Sequence, residues 1–387
     1  MEITREAVLV VAAVAALAPI LADLTPRITL PIVVAEIGLG IVVGPDVLGL
    51  AQTDAFIEAL ATFGLAFLFF LAGIEIDFER IRGAPASLGL AGWAVSLALG
   101  ISLALVLWGV GVIDAPILVA LALTTTALGT LMPVLRDARV LDTRLGRFIL
   151  GAGATGEFGP VVAVSIILAV EAGEAWRSVL LFAFAAIVLV AVAVVLRARP
   201  RRVVRLLETT MGTSGQLAVR LTLVLIVALV VIAADLGLDV ILGAFAAGIV
   251  VGIVIRGTES HEFETKLDAV GFGFLVPIFF VATGMDYDLD ALTASPETIA
   301  LVPGFAALFL LCRGLPAWVL YRRQLPVGER LPLALFSAAG LPLIVAITEI
   351  GTEAGVMHPD EAVALVGAGM LSVLLFPVLA LARLPRR

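Results

Sequence analysis

Charge is what this sequence has least of. Asp, Glu, Lys and Arg make up 14% of its 387 residues, and 61% are hydrophobic; soluble domains run at about 25% and 45–50%. No soluble core absorbs that much apolar sequence, so the chain reads as an all-α polytopic membrane protein. Cysteine is nearly absent as well. Cys312 stands alone inside an apolar run, which excludes an internal disulfide. The two histidines, His261 and His358, fall in loops. A pH-sensing role for either competes with the plainer reading of solvated surface. No cluster with metal-ligand spacing, phosphate-cradling glycine loop or activated nucleophile is present. No cofactor, covalent catalysis or nucleic-acid partner is therefore expected. Long polar connections are missing too, which excludes an inserted soluble domain, and the last apolar run reaches almost to Arg387, so no regulatory domain is expected after it. The first apolar run has no basic flank before it and reads as a first span, not a cleavable signal. The formal net charge of −8 decides little, because charge sign is sorted by membrane side.

Apolar runs of spanning length fall at about 6–22, 30–49, 56–75, 86–108, 114–134, 147–170, 178–196, 217–235, 239–255, 268–285, 298–320, 331–352 and 361–382. About thirteen transmembrane helices are expected. Basic residues collect in alternate connections: Arg27, then Arg80 and Arg82, a group at 136–147, a cluster at 197–220, and so on to the C-terminal arginines. The other side holds only Arg5 and Arg177. The positive-inside rule then puts the N-terminus outside and the C-terminus in the cytoplasm of the cell inner (plasma) membrane. The basic segment 197–216 reads as a topology anchor, with contact to anionic membrane lipid as the alternative.

The chain also resembles itself. Gly40-Ile-Val-Val-Gly44 returns as Gly248-Ile-Val-Val-Gly252, and Phe69-Phe-Leu-Ala-Gly73 as Phe279-Phe-Val-Ala-Thr-Gly284. Ala122-Leu-Thr-Thr-Thr-Ala127 parallels Ala334-Leu-Phe-Ser-Ala-Ala339, and Gly151-Ala-Gly153 parallels Gly367-Ala-Gly369. Each pair lies seven spans apart. Seven is odd, so matching spans cross the membrane in opposite directions, the inverted-topology repeat of many secondary transporters. The expected organisation is one transmembrane domain, 1–387, made of repeat one (1–175), a connector span (178–196) and repeat two (217–387). Spans 5 and 12 carry the helix-weakening stretches, Thr124-Thr-Thr126-Ala-Leu-Gly129-Thr130 with Pro133, and Ser337-Ala-Ala-Gly340-Leu-Pro342. Breaks are expected near 126–129 and 339–342, freeing backbone carbonyls at mid-membrane. The alternative is that the hydroxyls bond back to their own helices and the prolines only kink them.

Glu157 is the informative acid. It lies in an otherwise uncharged run at 148–170, about halfway through a hydrocarbon core roughly 30 Å thick. A charge at that depth costs at least about 2.5–3.5 kcal/mol and normally faces a cavity or an ion pathway. Thr155 and Gly156 precede it in a stretch of small residues that lets another helix or a hydrated ion approach. The stretch of span 13 that matches it has no acid. The candidate ion and proton site is Glu157 with Thr125, Thr126, Thr155, Gly156 and Ser337, holding a monovalent cation at Glu157. A protonated Glu between helices is the alternative reading. Arg313 in span 11 either neutralises Glu157 or a core helix end, or snorkels to the interface. Glu36 in span 2 reads mainly as packing or helix-end stabilisation, with an access funnel as the alternative. Glu349 reads as an interfacial acid.

Several of these landmarks are similar to a known family. Pro31-Ile-Val-Val-Ala-Glu36-Ile-Gly-Leu-Gly-Ile-Val-Val-Gly-Pro45, Phe69-Phe-Leu-Ala-Gly-Ile-Glu75-Ile-Asp77 and Pro277-Ile-Phe-Phe-Val-Ala-Thr-Gly-Met285 resemble the second, third and tenth spans of the monovalent cation:proton antiporter superfamily, in particular its second class. The resemblance covers nearly the whole chain. It implies a homodimer with a scaffold of spans 1–3 and 8–10, a moving core of spans 4–6 and 11–13, and unwound, crossed spans 5 and 12. Glu157 falls where the family has its ion-binding Asp, and Thr125 and Thr126 match its Ser/Thr-Thr crossing. Gly156 departs from the Asn, Asp or Gln that precedes that Asp, and Ala339-Gly340-Leu341-Pro342 departs from the family's Gly-Glu-Phe stretch.

The implied activity is secondary active exchange of a monovalent cation, sodium ahead of potassium, for a proton. One acid shared by two mutually exclusive ligands makes one-for-one, electroneutral exchange the simplest cycle. A cation channel or proton leak on the same scaffold, an organic-anion symporter, and a sensor or assembly subunit are the competing readings.

Overall fold

The structure is a computed structural model that describes residues 5–23, 31–76, 81–171, 216–236, 240–255 and 261–384. The described residues are helical, with no strand among them. In chain order the helices are α1 (Arg5–Asp23), α2 (Ile32–Val43), α3 (Ala55–Glu75), α4 (Ala84–Gly109), α5 (Pro116–Ala122), α6 (Leu128–Asp137) and α7 (Arg144–Glu171). They continue as α8 (Leu217–Asp235), α9 (Val240–Ile255), α10 (His261–Val270), α11 (Val276–Met285), α12 (Leu289–Thr293), α13 (Pro296–Phe309), α14 (Leu315–Leu320), α15 (Val327–Ala338), α16 (Pro342–Glu353) and α17 (Pro359–Ala382). Single π turns join α10 to α11 (Gly271–Leu275) and α13 to α14 (Leu310–Gly314). Each expected span inside the described residues contains helix, although α2 ends at Val43, short of the expected 30–49. The connector span at 178–196 and the arginine cluster at 197–205 lie outside the described residues.

Local chemistry sets the helix ends. The Asp54 carboxylate accepts from the amides of Phe56 and Ile57 at 3.0 and 2.9 Å and starts α3, as an N-cap side chain does. Ser295 caps α13 by accepting from the Thr298 amide at 3.1 Å. Proline opens α4, α5, α13, α16 and α17, where its missing N–H costs nothing and its fixed φ suits the first turn.

Contacts divide the chain into two compact units, one built from 1–3, 54–77 and 165–280 and the other from 4–53, 78–164 and 281–387. Within the first, α3 and α9 cross with their backbones touching. A Cβ on Gly73 would strike the Phe245 carbonyl, and one on Gly248 would strike the Phe70 carbonyl. Gly64 meets the Leu275 carbonyl in the same way. Glycine is required at these positions because backbone atoms cannot step aside.

Within the second unit, α2 and α11 cross on Gly40 and Gly284, whose Cβ positions fall on the Val281 and Ile37 carbonyls. The two crossings use the glycines that the sequence repeat pairs. α4 lies on α7 through Gly89 and Gly151, with Trp93 over Gly159. Two of the expected spans are broken. α5 ends at Ala122 and α6 begins at Leu128; α15 ends at Ala338 and α16 begins at Pro342. The second break matches the expectation at 339–342. The first lies at 123–127, earlier than the 126–129 read from sequence, and Gly129 sits inside α6. The reason is the destination of the amides: Thr126 N–H donates to the Gly156 carbonyl at 3.0 Å and Ala127 N–H to the Ala339 carbonyl at 2.8 Å. Both leave the α5 ladder for partners far along the chain.

Candidate ion-binding site

The two breaks meet. Besides the Ala127–Ala339 bond, the Thr126 hydroxyl donates to the Ser337 carbonyl at 2.6 Å, and a Cβ on Gly340 would come within 2.6 Å of Thr125 Oγ1. Thr124 and Thr125 hydroxyls bond back to the Leu121 and Ala122 carbonyls at 2.8 and 2.9 Å. Back-bonding and breakage, set against each other in the sequence reading, therefore occur together: the hydroxyls quiet the last α5 carbonyls while the following amides turn away. Among the described residues, the carbonyls of Leu123, Thr124, Thr125 and Ala338 accept no hydrogen bond. In a membrane interior such groups are costly unless something else satisfies them.

Arg313 is the second component. It is 2% exposed and lies in the π turn between α13 and α14. Its Nε donates to Thr126 Oγ1 at 2.9 Å and its Nη2 to the Ala152 carbonyl. It does not snorkel; it is bonded into the crossing. Thr126 thus has its proton on Ser337 and accepts from Arg313, so its hydroxyl orients the network more than it offers an oxygen to a cation. Gly156 makes this possible: a Cβ there would run into Arg313 Nη2 and come within 2.5 Å of Thr126 Oγ1. The guanidinium fills the space that a side chain at 156 would need.

Glu157 is 6% exposed. Along α7 each residue turns about 100°. Ala152 and Gly156, four apart, form the face under Arg313, and Glu157 is one step round from it. Gly153, one turn earlier on the Glu157 face, touches Leu128, the first residue of α6: its Cβ position lies 2.7 Å from Leu128 Cδ1. No side chain caps α6 or α16, and the amino end of a helix carries a partial positive charge that favours an anion.

The remaining expected residues separate. Thr155 is about 200° from Glu157 by the same helical period, a separation legible in the sequence. Its hydroxyl bonds back to the Gly151 and Ala152 carbonyls at 3.1 and 3.0 Å, facing α4. Ser337 contributes its carbonyl to Thr126; its own hydroxyl is buried and finds no hydrogen-bond partner among the described residues. Glu36 is 2% exposed on α2, and no hydrogen bond among the described residues joins it to this network. Glu349 is exposed. His358 lies on the surface 3.7 Å from Asp360, and the side chain of His261 lies outside the described residues. One residue escaped the sequence reading. Ser372 of α17 is fully buried, and its hydroxyl is bonded to Gly340 in the second break.

Comparison with known proteins meets this geometry. The profile of the sodium/hydrogen exchanger family, transmembrane region, matches residues 12–381. YjbQ of Bacillus subtilis (strain 168), named as a proposed Na(+)/H(+) antiporter, is 27% identical over 388 residues, covering 93% of this chain and 61% of its own length. The present chain thus spans about three-fifths of that relative. GerN of Bacillus cereus, named an Na(+)/H(+)-K(+) antiporter, is 27% identical over 282 residues, 70% of this chain and 69% of its own. Among solved structures, the sodium proton antiporter MjNhaP1 of Methanocaldococcus jannaschii at pH 8 superposes with a TM-score of 0.65 at 15% identity, over 96% of this chain and 95% of its own; at that identity the likeness is one of fold. The profile matches this chain almost end to end, across both broken helices and Glu157, and by that match the chain belongs to the transmembrane sodium/hydrogen exchanger family.

Proposed function

We propose that the protein exchanges a monovalent cation for a proton at Glu157, one for one, by alternating access. The observation that carries this reading is the position of one buried carboxylate, Glu157, beside two crossed helix breaks at which the carbonyls of Leu123, Thr124, Thr125 and Ala338 are uncommitted. Low dielectric favours the neutral form of a carboxyl group, while oxygen ligands and a bound cation favour the charged form. Proton and cation therefore compete for one group, and their exclusion couples the two fluxes. An empty anionic site is costly to carry through low dielectric, so only the occupied carrier crosses readily. Arg313, hydrogen-bonded to Thr126 and Ala152, is a fixed charge in the network, not a second titrating carrier, in keeping with an electroneutral cycle.

In this reading spans 4–6 and 11–13 form the moving core, and the hydrogen bonds that tie the two breaks to each other, to α7, α15 and α17 and to Arg313 support their moving as one piece. The paired glycine crossings support the inverted repeat. The names of the relatives support sodium as the first cation to test and potassium as the next. A homodimer in the plasma membrane, N-terminus outside, completes the proposal.

The test is flux in proteoliposomes carrying a pH-sensitive dye, with sodium, potassium, lithium and choline compared. Sodium or potassium addition should dissipate an imposed pH gradient, choline should not, and clamping the membrane potential should leave the rate unchanged. Glu157→Gln, which matches the protonated acid in shape but releases no proton, should abolish the response while the protein still folds. Cation-driven proton flux retained by Glu157→Gln would remove Glu157 as the carrier, and steady one-way current would replace the exchanger with a channel.

A further inference from the structure

The register of the internal repeat sets Gly151-Ala-Gly153 against Gly367-Ala-Gly369. Counting on from these, Gly156 is matched by Ser372 and Glu157 by Val373. The two matched positions do corresponding work by different chemistry. In the first half, the Gly156 carbonyl accepts the Thr126 amide and anchors the break between α5 and α6. In the second, the Gly340 amide donates to Ser372 Oγ at 3.2 Å, while that oxygen lies 3.1 Å from the Gly340 carbonyl and 2.7 Å from the Gly369 carbonyl. The single hydroxyl proton goes to one of these two acceptors. Either way, Ser372 holds one residue of the break between α15 and α16.

That residue is well placed to transmit an effect. Gly340 follows Ala339, whose carbonyl takes the Ala127 amide at 2.8 Å. It packs on Thr125, and a Cβ at Gly369 would come within 3.1 Å of its carbonyl. Ala127 and Thr125 flank Thr126, which carries the bonds to Gly156, Ser337 and Arg313. A chain of contacts thus runs from Ser372 through both breaks to the residue before Glu157, past the uncommitted carbonyls of Thr125 and Ala338.

We infer that Ser372 is a positioning residue of the ion site, holding the α15–α16 break in the register that keeps the free carbonyls of the crossing in place for the cation. The inference rests on the exchanger reading proposed above. It predicts that loss of the hydroxyl acts on cation affinity, whereas loss of packing alone would act on protein yield and stability.

The test uses two substitutions of the same shape, Ser372→Thr and Ser372→Val, in the full chain. Both add bulk, and only Thr keeps the hydroxyl. Exchange in proteoliposomes gives the half-saturating sodium or potassium concentration per folded transporter. Hydrogen–deuterium exchange of peptides covering 123–131 and 336–345 reports the breaks without any need for transport. One hydrogen bond contributes about 1 kcal/mol, so a roughly fivefold or larger rise in half-saturating concentration is expected for Val, with faster deuteration of both segments. Thr should stay within about twofold of the wild type by the same reckoning. Val and Thr behaving alike in an active protein would overturn the role of the hydroxyl, as would faster deuteration with unchanged cation dependence. A wild type without cation-driven proton flux would instead overturn the exchanger reading, and the ion-site role with it.

Discussion

Gly156→Ala is the most exacting test of the site. A single methyl on α7 is normally welcome, since alanine is favoured over glycine in a helix by about 1 kcal/mol. Here the methyl would strike Arg313 Nη2 and approach Arg313 Cζ to 2.9 Å and Thr126 Oγ1 to 2.5 Å. The guanidinium must move, and its bonds to Thr126 Oγ1 and the Ala152 carbonyl are lost or bent. Hydrogen bonds from a charged group contribute about 1.5–3 kcal/mol each, so the two together cost about 3–6 kcal/mol. Subtracting the helix-propensity gain leaves a net loss of about 2–5 kcal/mol. The measurement is thermal unfolding of the detergent-solubilised protein, for Gly156→Ala, Arg313→Ala and the double variant, with cation-driven proton flux alongside. Gly156→Ala should unfold earlier and transport poorly. The double variant should lose clearly less than the sum of the two single losses, because the clash with Arg313 is gone and only the approach to Thr126 Oγ1 remains; such non-additivity measures the coupling directly. Stability and transport unchanged in Gly156→Ala, or penalties that simply add, would refute the packing of Arg313 against Gly156.

Thr126→Val keeps the side-chain shape but leaves a buried guanidinium nitrogen and the Ser337 carbonyl without their partner; an unsatisfied buried group costs about 1–3 kcal/mol, more when charged. Weaker cation dependence together with lower stability is expected, and unchanged values of both would make the hydroxyl dispensable. Gly248→Ala drives a methyl into the Phe70 carbonyl and within 2.9 Å of Gly73 Cα. Overpacking of this kind costs about 1–3 kcal/mol, so the unfolding temperature should fall, whereas Gly273→Ala, with open space around its Cβ position, should not lower it.

How much of this was legible differs from residue to residue. The spans were legible because bilayer thickness sets a local length and a run of apolar residues meets it without help from the rest of the chain. Glu157 was legible because depth in such a run can be counted, and the breaks because Thr, Gly and Pro weaken helices wherever they stand. The position of the first break was read a few residues late. Its boundary depends on which acceptors the Thr126 and Ala127 amides find, and those acceptors, Gly156 and Ala339, lie outside span 5. Arg313 allowed two outcomes in the sequence because its long side chain reaches either the interface or the core. Packing against Gly156 chose the core. Ser372 gave no signal, since serine within a helix usually bonds back to its own backbone; only its bonds to Gly340 in the folded chain set it apart.

The sequence by itself determined the class of protein, its spans, the repeated glycine motifs and the mid-span acid Glu157, since each follows from local hydrophobicity, spacing or depth. The tertiary structure alone decided which groups satisfy the freed backbone and where the fixed positive charge rests. The bond from Thr126 to Ser337 joins residues 211 apart in sequence, and that from Arg313 to Thr126 joins residues 187 apart. A hydrogen bond needs its partners within about 3 Å and aligned, a condition no local pattern encodes. It is met only when the broken helices have already crossed.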